Sequence, residues 1–263
     1  MANTIDWGKA SVNNTNGYGK GAIDNTIRWG KIYESSASGD TNIGTATTPS
    51  FSNTLSTRFD GVDDFVTLGT PINLRITGSV SVSCWVKYTD SGGTRYINSF
   101  GDKYGLYINS GKLFWHYRNT ANQFKSVGSL TTFNDGQWHH VMGVNDGTNL
   151  KIYIDGVLNN SNTDGSSGIV GTADSRIGAR FNNANHYEGN IDEFAIWDSD
   201  QSANISSIYS ASGAVDLSSL SPLGWWRMGD GDTFPTLTDN GSGGNNGTMT
   251  NMTSGNIITD VPT

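Results

Sequence analysis

The chain has 263 residues, enough for one large β domain with appendages or for two small domains. With 34 Gly, only 5 Pro, 15% charged and 11% aromatic residues, it combines turn formers with strand formers and predicts many short strands. The net charge of −8 excludes nucleic-acid backbone binding, which needs clustered Lys and Arg, and no apolar run is long enough for a membrane-spanning helix.

In chain order, residues 1–48 hold a repeat. Ile5-Asp-Trp-Gly-Lys, Asn16-Gly-Tyr-Gly-Lys and Ile27-Arg-Trp-Gly-Lys recur every 11 residues, with Trp7, Tyr18 and Trp29 in register. So short a period cannot bury its own core, so each copy must lean on its neighbours, sister chains or a larger assembly. We read 1–48 as an anchoring segment with these three aromatics as its contacts; a flexible Gly/Asn linker is the competing reading. Nothing from Met1 to Trp7 pairs a basic region with an apolar core, so no signal peptide is expected.

From residue 49 the pattern turns to strands. Thr57-Arg-Phe-Asp-Gly-Val-Asp-Asp-Phe-Val-Thr-Leu opens the series, and Val80-Ser-Val-Ser-Cys-Trp-Val alternates as a half-buried strand should. Cys84, the only cysteine, falls on the Val80/Val82/Val86 face and reads as a small core residue, with no disulfide possible. Leu106-Tyr-Ile and Leu113-Phe-Trp-His-Tyr flank a hairpin loop at Asn109-Ser-Gly, and Asp155-Gly156 predicts a two-residue turn with positive φ at both positions. Gly189-Asn-Ile-Asp-Glu-Phe-Ala-Ile-Trp closes the series, and only Gln201 to Ser210 suggests a helix.

Six segments in this order resemble the laminin G-like, concanavalin A-like lectin-glucanase superfamily, of the type found in phage and bacterial surface proteins. They are Phe59-Asp-Gly-Val-Asp-Asp-Phe-Val, Val82-Ser-Cys-Trp-Val-Lys, Gly136-Gln-Trp-His-His-Val, Leu150-Lys-Ile-Tyr-Ile-Asp-Gly-Val-Leu, Arg176-Ile-Gly and Gly189-Asn-Ile-Asp-Glu-Phe-Ala-Ile-Trp. The resemblance implies an all-β, antiparallel two-sheet jelly-roll sandwich over 49–210. A first-strand signature that family members often carry ahead of the Phe-Asp-Gly landmark here lies at Gly224-Trp-Trp-Arg-Met and Leu237-Thr-Asp-Asn-Gly-Ser-Gly-Gly. Residues 211–263 are therefore expected to fold back and complete the sandwich; a truncated second copy is the alternative.

The chemistry narrows next. Retaining glycoside hydrolysis needs two carboxylates about 5 Å apart. The only glutamate-containing pair at strand spacing, Glu188 and Asp192, lacks the third acid of the hydrolase motif, so no enzyme is expected. His139 and His140 are adjacent on a strand and face opposite ways, which argues against zinc. Calcium fits better, because Asp/Gly/Asn loops supply hard oxygens and the resembled family frequently holds this ion; Asp192 and Asp239 are its candidate ligands, unless such aspartates only shape turns.

Saccharide binding needs aromatic platforms beside planar polar groups. Trp115 and Tyr117 with Arg118, and Tyr187 with Arg180, are the candidates; the competing reading is that these aromatics fill the core. The sequence thus points to a non-enzymatic virion structural protein, a bacteriophage decoration or fibre protein displaying a glycan-binding sandwich at the virion surface. Its expected partners are virion or surface assembly proteins, cell-surface glycans and further copies of itself. The alternative is a secreted, extracellular adhesin or carbohydrate-binding accessory module, and a glycoside hydrolase comes last.

Overall fold

The computed structural model describes residues 51–89 and 92–263, together with two strands nearer the N-terminus. The chain divides into two units, residues 1–50 and 51–263. In the first, β1 (Ala2–Ile5) pairs antiparallel with β2 (Ala10–Asn13). Trp7, Tyr18 and Trp29 lie outside the described residues.

The second unit is a sandwich of two sheets in which every pairing is antiparallel. The first sheet runs β10 (Phe124–Thr132), β9 (Lys112–Arg118), β8 (Tyr104–Asn109), β7 (Asn98–Phe100), β14 (Ser175–Ile177), β4 (Phe65–Gly69), β18 (Gly247–Thr250) and β17 (Thr236–Leu237), with β6 (Thr94–Tyr96) also on β8. The second runs β13 (Val157–Asn162), β12 (Leu150–Ile154), β11 (Trp138–Asn145), β5 (Val80–Lys87), β15 (Glu188–Trp197), β3 (Ser56–Asp60) and β19 (Ile257–Ile258), with β16 (Gly224–Trp226) also on β15. The hairpin signals hold: Ser110 and Gly111, and again Asp155 and Gly156, all have positive φ.

Residues 224–258 supply strands to both sheets and complete the sandwich. β18 hydrogen-bonds β4 through Thr248–Thr67 and Met249–Val66, and β19 borders β3. Trp226, Met228, Leu237 and Met249 enter the core between the sheets, beside Val82, Cys84, Trp115 and Phe194. Burial there pushes the Cys84 thiol far above its ordinary range and leaves it inert.

The strand Val80–Lys87 is covered on both faces rather than one. Its valines and Cys84 face the inter-sheet core. On the other side, the segment around the one-turn helix α1 (Ile205–Ile208) packs Ile208, Leu217 and Leu220 against Met142, Val144, Trp197 and Trp225. Ser81 and Ser83 tolerate this burial because their hydroxyls are used: Ser81 donates to the Ser199 carbonyl at 2.8 Å, and Ser83 bonds His140 Nε2 at 2.7 Å. On the outer face of the first sheet around β8–β10, Phe124 is 45% exposed.

Candidate functional site

Where the chain crosses from β3 to β4, Asp60, Asp63 and Asp64 bring carboxylate oxygens within 4.8 Å of one another. The turn is built by Asx bonding: Asp60 Oδ1 accepts from the backbone N–H of Val62 at 2.8 Å, Asp63 at 3.3 Å and Asp64 at 3.4 Å. Asp64 Oδ2 accepts from the Asp60 N–H and from Asn256 Nδ2. Gly61 is required here. Its φ is +77°, and a Cβ at this position would sit 2.8 Å from Glu188 Cβ.

Burial raises the Asp60 carboxyl somewhat, but the three N–H donors outweigh it and hold the group below its ordinary value. Asp64 moves the other way, raised by burial and by the charge of Asp60. Two of the three, Asp60 and Asp64, line a surface cleft of about 530 Å³ together with Arg58, Glu188, Asn190, Asn251 and Asn256. The register Glu188–Asp60 and Asn190–Arg58 between β15 and β3 fixes the two walls. Arg95 Nη2 lies 3.5 Å from Glu188 and Arg95 Nη1 also donates to the Gly61 carbonyl, so the cleft wall is braced from outside. Three carboxylates with free oxygens, beside neutral amides, are a donor set that fits a hard divalent cation.

The structure places Asp192 and Asp239 elsewhere, with separate sets of partners. Asp239 spends its oxygens on the N–H groups of Trp225 (2.8 Å), Gly241 (2.8 Å) and Asn245 (2.7 Å), shaping the 239–245 loop. Asp192 is fully buried, accepts from Asn53 Nδ2 at 2.8 Å, and is pushed well above its ordinary value by burial and by neighbouring Glu193. A carboxyl so desolvated favours a proton, not the hydrated surface from which calcium arrives. The acids that the structure does bring together are those of the 60–64 turn.

The aromatic expectations change in the same way. Trp115 and Tyr117 alternate inward along β9 and are buried in the inter-sheet core; Tyr187 is buried too, stacked on Tyr88. None offers a ring to solvent. Arg118 and Arg180, by contrast, are brought together: both reach Asp102, at 3.3 and 3.5 Å. The aromatics beside them include Phe124, whose ring centre is 5.7 Å from the Arg118 guanidinium carbon, and Tyr96 and Phe181, 5.7 and 5.2 Å from that of Arg180.

The pair Glu188/Asp192 does not share a surface, because Glu188 is exposed in the cleft and Asp192 is wholly buried. His139 bonds Asp135 and Asp155 while His140 points inward to Ser83, so the adjacent histidines face apart. Sequence reasoning passed over the Asp60 triad. The signal was present in Asp60-Gly-Val-Asp-Asp, a loop whose acids at i, i+3 and i+4 flank a glycine.

The model of the family described as the concanavalin A-like lectin/glucanases superfamily matches residues 60–204. No curated protein matches the chain significantly. Among solved structures, a Bacteroides ovatus protein described as a candidate carbohydrate binding protein is similar at 17% identity and TM-score 0.64, over 81% of this chain and 62% of that one. This chain therefore spans less than two thirds of that protein. A native heptameric SAP-like pentraxin from Limulus polyphemus is similar at 16% identity and TM-score 0.48, over 60% of this chain and 83% of that one. The sandwich topology and a family match over more than half of the sequence establish that the chain belongs to the concanavalin A-like lectin/glucanases superfamily.

Proposed function

We propose that this protein is a non-enzymatic carbohydrate-binding module whose ligand sits in the cleft beside the Asp60–Asp64 turn, with calcium held by Asp60, Asp63 and Asp64. The observation that carries the reading is the clustering of the three carboxylates at the edge of an open cleft that Asp60 and Asp64 line together with the planar amides of Asn190, Asn251 and Asn256. Planar amides and charged groups match the alternating donors and acceptors of a polyhydroxylated ring. A bound cation supplies a Lewis-acidic contact for sugar hydroxyls; the chain's own groups orient the ring. The carbohydrate-binding description of the Bacteroides ovatus relative supports the same class. Against catalysis by the pair at strand spacing stands the separation of Glu188, exposed in the cleft, from Asp192, buried in the core.

The in-register repeat of residues 1–48 favours display on a symmetric assembly, the surface of a bacteriophage virion as decoration or fibre, over a freely secreted adhesin. The test of function is a glycan array probed with the purified chain in calcium and again in chelator. Binding to a defined set of glycans that disappears with the chelator supports the reading. An array that is blank in both conditions overturns it.

A further inference from the structure

The outer face of β6, β8, β9 and β10 carries Tyr96, Tyr107, Phe114, His116 and Phe124 as one continuous ring cluster. Tyr107 stacks on Phe114 across β8 and β9, 5.0 Å between centroids at 6°, and on Tyr96 at 5.2 Å and 22°. His116 stacks under Phe124 at 5.0 Å and 12°. An antiparallel sheet face left to water ordinarily alternates to polar side chains. The corresponding face of the second sheet is apolar too, but there the segment around α1 covers it.

Cations gather at the edge of these rings. Arg118 and Arg180 share the single carboxylate of Asp102, and the Arg118 guanidinium donates to the Asn122 carbonyl while Lys103 approaches the Asn122 side chain at 3.5 Å. Two guanidiniums on one carboxylate, with the Lys103 ammonium beside them at Asn122, make a positive spot on a chain of net charge −8. The floor is polar but unsatisfied: His116 is 1% exposed with neither ring nitrogen hydrogen-bonded, and Arg180 Nε is likewise buried without a partner. Burial, then the charges of Arg118 and Arg180, push His116 down to about 3, so its imidazole is neutral and offers one donor and one acceptor.

We propose that this face is a second saccharide site, independent of any metal, that takes an acidic sugar: the ring lies on Phe124 and its carboxylate pairs with Lys103 and Arg118. Stacking on an exposed ring and a charge-assisted carboxylate contact are the two interactions the face supplies, and a uronate is the sugar class that uses both. The ligand class rests on the carbohydrate-binding reading above; the site and its indifference to cations do not.

The test is calorimetric titration of the full chain in chelator with trigalacturonate and, separately, with neutral cellotriose. Trigalacturonate is expected to bind and cellotriose not to. Phe124→Ala and Lys103→Glu should each weaken binding about tenfold or more while the melting temperature is unchanged, and added salt should weaken it as well. Asp63→Asn should leave it intact. Absence of trigalacturonate binding in chelator overturns the proposal, as does equal binding of cellotriose, indifference to both face variants, or loss on Asp63→Asn. Calcium-dependent binding at the cleft would survive any of these failures, so the two sites are judged separately.

Discussion

The carboxylate of Asp260 lies 2.8 Å from the ammonium of Lys87, joining the last residues of the chain to the central strand of the second sheet. The same carboxylate accepts from Trp138 Nε1 at 3.0 Å and Asn190 Nδ2 at 3.0 Å. One side chain near the C-terminus therefore ties together β5, β11 and β15, and Asn190 is also a wall of the cleft. The fold-back of residues 224–263 thus bears on both the sandwich and the candidate site.

Asp260→Ala leaves three donors short of an acceptor, and is expected to destabilise the protein by about 1–3 kcal/mol. Burial raises the Asp260 carboxyl, but its bonds to Lys87 and Trp138 outweigh this and hold it below 3.8. A depressed carboxyl contributes stability that is present above its unfolded value and lost as pH falls through the folded one. The stability difference between wild type and variant in denaturant melts should therefore be present at pH 6 and shrink as pH falls below 3.8. A difference that stays constant would show that the charge is not involved.

Glu193 gives the opposite slope. Burial among Trp225, Arg227 and Asp192 lifts its carboxyl to about 7, outweighing the hydrogen bonds from Arg227 Nε and Trp225 Nε1. Between 4.5 and 7 the folded form holds a proton that the unfolded form has released, so Glu193 removes stability as pH rises through this window. The loss is on the order of 3 kcal/mol. Glu193→Gln cannot titrate, so its stability should fall less than that of wild type from pH 4.5 to 7. Parallel pH profiles for the two proteins would refute this. His140, pushed down to about 4 by burial, acts in the reverse sense in both proteins and cancels from the comparison.

The edge of the first sheet is closed by asparagines. Asn160 Nδ2 donates to the Gly128 carbonyl at 2.7 Å and Asn162 Nδ2 to the Ser126 carbonyl at 2.9 Å, while Asn159 Oδ1 accepts from the Leu130 N–H at 2.7 Å. These side chains from β13 occupy backbone groups of β10 that a foreign strand would otherwise pair with. Asn160→Ala combined with Asn162→Ala should cost about 1–3 kcal/mol and increase self-association, read by analytical ultracentrifugation. Sedimentation identical to wild type would remove the edge-closing role.

Gly61→Ala adds a methyl at φ +77° against Glu188 and should cost about 1–2 kcal/mol. Thermal melts give the cost, and calorimetric calcium titration should show weakened binding as the turn is displaced. A variant with wild-type melting and calcium affinity would show that the turn does not set the geometry.

The inward faces of the strands were legible because alternation fixes which residues share a face: Val80, Val82, Cys84 and Val86 point to the core as their spacing requires. Alternation says nothing of what covers the other face, so the burial of Ser81 and Ser83 under residues 205–220 could not be read. On β9 the same rule divides Leu113, Trp115 and Tyr117 from Phe114, His116 and Arg118. The uniformly apolar set faces the inter-sheet core, and the mixed set lies on the outer face of the sheet, where Phe114 and Arg118 are half-buried and His116 is buried. Trp115 and Tyr117, the two expected ligand contacts, belong to the inward set. Asp192 sits where β15 bulges and Glu193 adopts φ +46°, so strand periodicity alone misplaces both acids.

The most direct test of the central claim is calorimetric titration of the strongest calcium-dependent array glycan into wild type and Asp63→Asn, both in calcium. The account predicts binding at least about tenfold weaker in the variant, with unchanged melting temperature and loss of wild-type binding in chelator. Equal affinity in the two proteins, or binding that survives the chelator, would contradict it.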